Sequence, residues 1–144
     1  MQEYKVTVSN IKTEWRQNGK LHREDGSAIE WADGDKEWFK NGLQHRDDGP
    51  AVEYKDSKEW YQNGQRHRED GPAVEYPNGY KSWWLNGMRH RDDGPAIEYV
   101  NGKKLWYLNG NKYTEQEFLS MTTTKELTVA DIEKLLGHRV EIVK

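Results

Sequence analysis

Four histidines, His22, His45, His67 and His90, each stand directly before an arginine (Arg23, Arg46, Arg68, Arg91), and each pair runs into two acids and a glycine, as in Asp47-Asp48-Gly49 and Glu69-Asp70-Gly71. Imidazole, guanidinium and carboxylate in one short run are the groups of acid–base catalysis, metal ligation and anion binding. Their recurrence argues against catalysis, because catalytic groups converge from distant segments whereas these repeat in step. Equivalent histidines of a repeat lie whole repeat widths apart, two or more strands at about 4.8 Å each, so they cannot share a zinc ion that needs every nitrogen at about 2 Å. Asp-Asp-Gly resembles half of a calcium loop, but the full Asp-x-Asp-x-Asp-Gly spacing with a distal Glu is missing, and Asp before Gly-Pro is ordinary turn chemistry. A Gly-rich phosphate loop, a Cys nucleophile and a Gly-x-Ser-x-Gly elbow are also missing. The expectation is a protein that is not an enzyme and carries no metal or cofactor.

The elements that position these residues follow from a second regularity. Trp15, Trp38, Trp60, Trp83 and Trp106 are spaced by 23, 22, 23 and 23 residues, and the histidines keep the same phase. Such a period marks a repeat array. Each Trp is followed, after two intervening residues, by Asn-Gly (Asn18-Gly19, Asn41-Gly42, Asn63-Gly64, Asn86-Gly87, Asn109-Gly110), the pair that tolerates positive φ at both centres of a type I′ hairpin turn. Around Asn63-Gly64 this pairs Tyr61 with Arg66, Trp60 with His67 and Glu59 with Arg68. By the same register Arg23 and Arg46 face Glu14 and Glu37, and Arg91 faces Ser82 and lacks a carboxylate. Each imidazole is expected to pack on its cross-strand Trp and hydrogen-bond the nearby acidic turn.

A second turn signal, Asp33-Gly34, Asn78-Gly79 and Asn101-Gly102, follows each Val/Ile strand. Read as a two-residue turn, it sets Ile29 opposite Trp38, Val74 opposite Trp83 and Ile97 opposite Trp106. The remaining copy has Asp56-Ser57 and one residue fewer, so an altered turn or bulge is expected there. Val74, Trp83 and His90 then form a core row, widened by Tyr54, Tyr76, Tyr99 and Trp31. Phe39, Tyr61, Trp84 and Tyr107 fall on the opposite face with Glu30, Glu53, Glu75 and Glu98. That face is either a binding surface or a second packed layer covered by the C-terminal unit.

Residues 1–12 read as half a repeat and the fifth copy stops at Tyr113, so the array covers 1–113 as four full repeats between two halves. Residues 114–144 read as a small α/β cap. Thr114 and Glu117 form a capping box ahead of Phe118; Thr128 opens a second helix ended by Gly137, and residues 138–144 alternate like a strand. With 33% hydrophobic residues but seven Trp and eight Tyr, the core is expected to be thin and aromatic. A net charge of −3 with interspersed signs offers no footprint for a phosphate backbone, so non-specific nucleic-acid binding is not expected. The absence of cysteine, of a signal-like start and of a long apolar run suggests a cytoplasmic protein that does not enter membranes.

The aromatic-x-x-Asn-Gly hairpins resemble MORN-type repeats, and His45-Arg46-Asp47-Asp48-Gly49-Pro50-Ala51 and His67-Arg68-Glu69-Asp70-Gly71-Pro72-Ala73 resemble a variant frequent in bacteriophages, giant viruses and some bacteria. Copy one departs with Ser27 for Pro, and the last half-copy lacks the His motif. The resemblance covers roughly residues 13–113 and implies an all-β, elongated, twisted antiparallel meander that serves as an interaction scaffold. It further implies a phage accessory protein, monomeric or a small homo-oligomer, that acts in the host cytoplasm by binding and inhibiting a host protein, such as a defence factor. Candidate contacts are Phe39, Tyr61, Trp84 and Tyr107 with Glu53, Glu75 and Glu98, supplemented by Leu43, Gln44, Gln65, Arg66, Met88 and Arg89. The rival expectation is a sponge for a nucleotide-like ligand held by His90 and Arg91.

Overall fold

The computed structural model describes residues 3–123 together with residues 133 and 137. The expected second helix from Thr128 and the expected strand over 138–144 lie outside the described residues, apart from Glu133, which is helical, and Gly137, whose φ is +70° and whose amide donates to the Glu133 carbonyl.

The chain is an all-β repeat. The tryptophan strands of the middle repeats divide at Trp38, Trp60 and Trp83, because the two backbone groups of that residue serve different neighbours, whereas the strands through Trp15 and Trp106 run on unbroken. The amides of Trp15, Trp38, Trp60 and Trp83 donate at 2.8–2.9 Å to the carbonyls of Ala28, Ala51, Ala73 and Ala96, while their carbonyls accept the amides of His22, His45, His67 and His90 at 3.1 Å. Residues before the Trp therefore belong to one antiparallel meander, and residues after it to a hairpin at its side. The meander runs from Lys5–Val8 and Lys12–Gln17 through Ile29–Trp31, Lys36–Glu37, Val52–Tyr54, Ser57–Glu59, Val74–Glu75, Lys81–Ser82 and Ile97–Glu98 to Lys104–Leu108 and Asn111–Tyr113. Phe39–Lys40 with Leu43–Gln44, Tyr61–Gln62 with Gln65–Arg66, and Trp84–Leu85 with Met88–Arg89 form the side hairpins. Each closes through Asn-Gly with both residues at positive φ, for example Asn63 at 50° and Gly64 at 78°, as a type I′ turn requires.

The second turn corrects the expected register. Gly79 donates to Tyr76 O and Tyr76 to Tyr80 O, both at 3.0 Å, and Gly79 has φ 97°. This is a three-residue loop ending in a glycine bulge, not a two-residue turn, and the same bonds recur at Gly34 and Gly102. The extra residue moves every partner by one: Ile29 faces Glu37, Val74 faces Ser82, and Ile97 faces Leu105. The shorter copy lacks the bulge residue. Tyr54 pairs with Ser57 across Lys55-Asp56, and Val52 still faces the residue before Trp, Glu59. The deletion is absorbed in the turn, as expected, but this copy has the plain two-residue turn and the others the bulge, and Val52 faces Glu59 in place of Trp60, in the register of the other copies.

Because side chains alternate along a strand, a shift of one residue exchanges the faces. The expected row Val74, Trp83 and His90 does not form. The buried core is instead the small pair Ala28-Ile29, Ala51-Val52, Ala73-Val74 and Ala96-Ile97, together with Ser57 and Ser82. The tryptophans are half-buried beside it, so the core is thin but built from small aliphatic residues. Tyr54, Tyr76 and Tyr99 stay 37–39% exposed. At the far end the helix Glu115–Thr122 starts with the expected capping box of Thr114 and Glu117 and buries Phe118 against the last two strands.

The bulge is thus dispensable for register. Insertion of one glycine between Asp56 and Ser57 recreates the longer loop. It should leave the Val52–Glu59 pairing, read by NMR, unchanged and alter stability by no more than about 1 kcal/mol.

Candidate functional site

The His-Arg motif builds one face of the molecule. After each histidine the strand leaves its own hairpin, and the amides of Arg23, Arg46, Arg68 and Arg91 donate to Phe39, Tyr61, Trp84 and Tyr107 carbonyls of the next one. Pairing of Arg23, Arg46 and Arg68 with Glu14, Glu37 and Glu59 is therefore corrected. Each guanidinium lies 3.9–4.1 Å from the centroid of its own repeat's Trp15, Trp38, Trp60 or Trp83 ring. Its other side meets glycine: a Cβ on Gly26, Gly49, Gly71 or Gly94 would fall 2.9–3.0 Å from the guanidinium carbon. In the same slot Arg68 Nε donates to Asp70 at 2.8 Å and Nη1 to Pro72 O and Glu75, each at 3.1 Å. Arg91 makes the identical set with Asp93, Pro95 O and Glu98, so the expectation that it lacks a carboxylate is overturned.

The histidines tie consecutive hairpins together. Nδ1 of His22, His45 and His90 accepts the amides of Asn41, Asn63 and Asn109 at 2.9–3.0 Å, and Asn86 N–H reaches His67 in the same way. An amide can only donate, so Nδ1 of His22, His45 and His90 carries a lone pair and any ring proton sits on Nε2. That atom faces the acidic turn, 3.1 Å from Asp47 in His45 and 3.0 Å from Asp92 in His90. The acidic-turn contact was legible in the sequence; the bond to the following repeat was not, since it joins residues eighteen or nineteen apart.

Phe39, Tyr61, Trp84 and Tyr107 occupy the other face, with the Val/Ile row. Tyr61 Oη donates to Glu59 at 2.8 Å and Trp84 Nε1 to Ser82 at 2.8 Å, and both acceptors sit opposite a valine. Glu53, Glu75 and Glu98 are bound to Arg46, Arg68 and Arg91 on the tryptophan face. The expected joint surface of aromatics and glutamates is therefore corrected: the bulge shifts parity and sends the two rows to opposite sides. Arginines take the glutamates' place beside the aromatics. Arg66 lies 5.8 Å from the Tyr61 ring and 5.4 Å from Trp84, and Arg89 lies 5.0 Å from Trp84 and 5.4 Å from Tyr107. The result is an alternating ladder Tyr61–Arg66–Trp84–Arg89–Tyr107. Its cross-strand rungs follow from the hairpin register, but its diagonal contacts depend on hairpin stacking, through bonds such as Gly87 N–H to Arg66 O at 2.9 Å. Burial, then the Glu59 carboxylate, pushes the Tyr61 hydroxyl above its ordinary pKa.

Comparison of the chain with protein-family models, curated proteins and solved structures gave no match.

Two outcomes follow from the guanidinium slot. Gly71→Ala should displace Arg68 and destabilise the protein by about 1–3 kcal/mol in chemical denaturation. Gly79→Ala meets no atom within 4 Å and should cost about 1 kcal/mol, for its positive φ alone. The hydrogen bonds from Arg46 and Arg68 hold the carboxyls of Asp48 and Asp70 below the ordinary Asp value of 3.8. A depressed folded pKa contributes stability that is present above the ordinary value and lost as pH falls through the folded one. The melting temperature should fall as pH drops below about 4, and Asp48→Asn/Asp70→Asn should flatten that fall.

Proposed function

We propose that the protein is a non-enzymatic interaction scaffold of MORN-like repeats that binds a protein partner through the Phe39, Tyr61, Trp84 and Tyr107 face. The observation that carries this reading is the ladder of half-buried aromatic rings alternating with Arg66 and Arg89, flanked by the exposed edges of Tyr54, Tyr76 and Tyr99. Tryptophan, tyrosine and arginine are the residue types that dominate interface energies, since each offers large contact area with a polar handle. The tryptophan face is less suited, because its arginines and glutamates already satisfy one another. The resemblance of the His-Arg-x-Asp-Gly-Pro-Ala repeats to phage proteins makes a host protein the partner of choice, and inhibition of that protein in the host cytoplasm the role. No described helix is long and apolar enough to cross a membrane.

The His90 and Arg91 site is less suited to a nucleotide-like ligand, since His90 bonds Asn109 and Asp92 and Arg91 fills its slot between Asp93 and Glu98. The scaffold reading is tested by affinity capture from nuclease-treated bacterial lysate. A stoichiometric host protein should bind the native chain and be lost from a folded Tyr61→Ala/Trp84→Ala variant; equal capture by both would remove this face from the reading.

A further inference from the structure

The residue before each Trp carries a carboxylate in three repeats, and each carboxylate is spoken for. Glu14 pairs with Lys12 and Arg16, and Glu37 accepts from Tyr54 Oη and Gln44. Glu59 Oε2 accepts from Arg66 Nε at 3.1 Å, Arg66 Nη2 at 2.9 Å and Tyr61 Oη. The fourth repeat keeps the arginine, Arg89 in the place of Arg66, but replaces the glutamate by Ser82, which is 1% exposed and whose hydroxyl accepts from Trp84 Nε1. Among the described residues Arg89 has no ion pair, and its Nε is buried without a hydrogen-bond partner. A partly buried guanidinium left so is costly, because it gives up water without gaining a carboxylate. At this same repeat a cleft of about 530 Å³ opens over Val74 and Ser82, bounded by Arg66, Trp84 and Arg89. Its rim is aromatic: Tyr80 lies 5.4 Å from Tyr76 and 5.6 Å from Tyr99 between ring centroids.

We infer that this cleft binds an aromatic or apolar carboxylate ligand, whose carboxylate pairs with Arg89 as Glu59 pairs with Arg66 while its body lies against Trp84 and the tyrosine rim. Positive charge, a hydroxyl at the floor and apolar walls are the features that such a ligand needs and that the three neighbouring repeats lack or cancel. The neighbouring repeat supplies the template for a carboxylate, which is why the site is assigned to that group in preference to a phosphate. The cleft shares Trp84 and Arg89 with the face proposed for a protein partner, but capture of a host protein and binding of a small acid are read separately and can fail separately.

The test is an NMR titration of the whole chain with phenylacetate, blocked Glu-Phe dipeptide amide, phenyl phosphate and benzyl alcohol. The Trp84 indole and Arg89 amide signals should shift saturably with the two carboxylates below about 10 mM, and at least about tenfold more weakly with the neutral alcohol. Tighter binding of the dipeptide assigns the carboxylate to a protein side chain, and tighter binding of phenylacetate to a free acid. Ser82→Glu supplies an internal partner to Arg89, and Arg89→Gln installs the residue found at the matching position, Gln44. Both borrow what other repeats already accommodate, and both should weaken carboxylate binding at least about tenfold with the spectrum otherwise preserved. Absence of saturable shifts with either carboxylate, equal shifts with benzyl alcohol, undiminished binding by Ser82→Glu, or tighter binding of phenyl phosphate would each overturn the inference.

Discussion

A guanidinium clamped between an indole ring and a glycine is the contact on which this array depends. Arg23, Arg46, Arg68 and Arg91 each reach three parts of one repeat: the Trp of its first strand, the Asp-Gly turn, and the Glu of the strand that follows. The repeat has few large aliphatic residues, so its side chains cannot hold the turn down by burial alone. Stacking on Trp is worth about 0.5–2 kcal/mol and the charged hydrogen bonds add to it. The requirement for glycine at four equivalent positions is the steric counterpart of this clamp, since a methyl group would occupy the space of the guanidinium.

Cohesion between repeats rests on backbone groups more than on side-chain packing. A histidine Nδ1 receives the Asn amide of the next hairpin, the following Arg amide finds an aromatic carbonyl, and the turn glycine donates back to the previous hairpin. These bonds compensate for splitting the middle strands at Trp38, Trp60 and Trp83, so the side hairpins form a second tier alongside the meander. A bond network of this kind is indifferent to the identity of outward residues, which leaves the aromatic face free to vary from copy to copy.

That freedom is where the array acquires individuality. Leu21, Gln44, Arg66 and Arg89 occupy one position in four repeats, and Glu14, Glu37, Glu59 and Ser82 another. Where the pair is Arg66 with Glu59 the charges cancel; where it is Arg89 with Ser82 they do not, and a cleft lined by tyrosines opens. Each copy differs from the next in such departures from the repeat, while the repeated residues hold the fold.

The sequence by itself determined the period, the type I′ hairpins, the Tyr61–Arg66 register, the helix cap at Thr114 and the outward direction of Phe39, Tyr61, Trp84 and Tyr107 relative to their neighbouring tryptophans. These are local matters, decided by the φ of Asn-Gly, by alternation and by hydrogen bonds spanning few residues. The tertiary structure decided which rows share a face. Asn78-Gly79 suits a two-residue turn and a three-residue loop with a bulge alike, and the difference of one residue reverses the parity of everything beyond it. The substitution of Ser82 was visible in the sequence as a missing carboxylate, yet only the fold could show that the arginine it deprives is Arg89, because Arg91 crosses to the opposite face and finds Asp93 and Glu98 there.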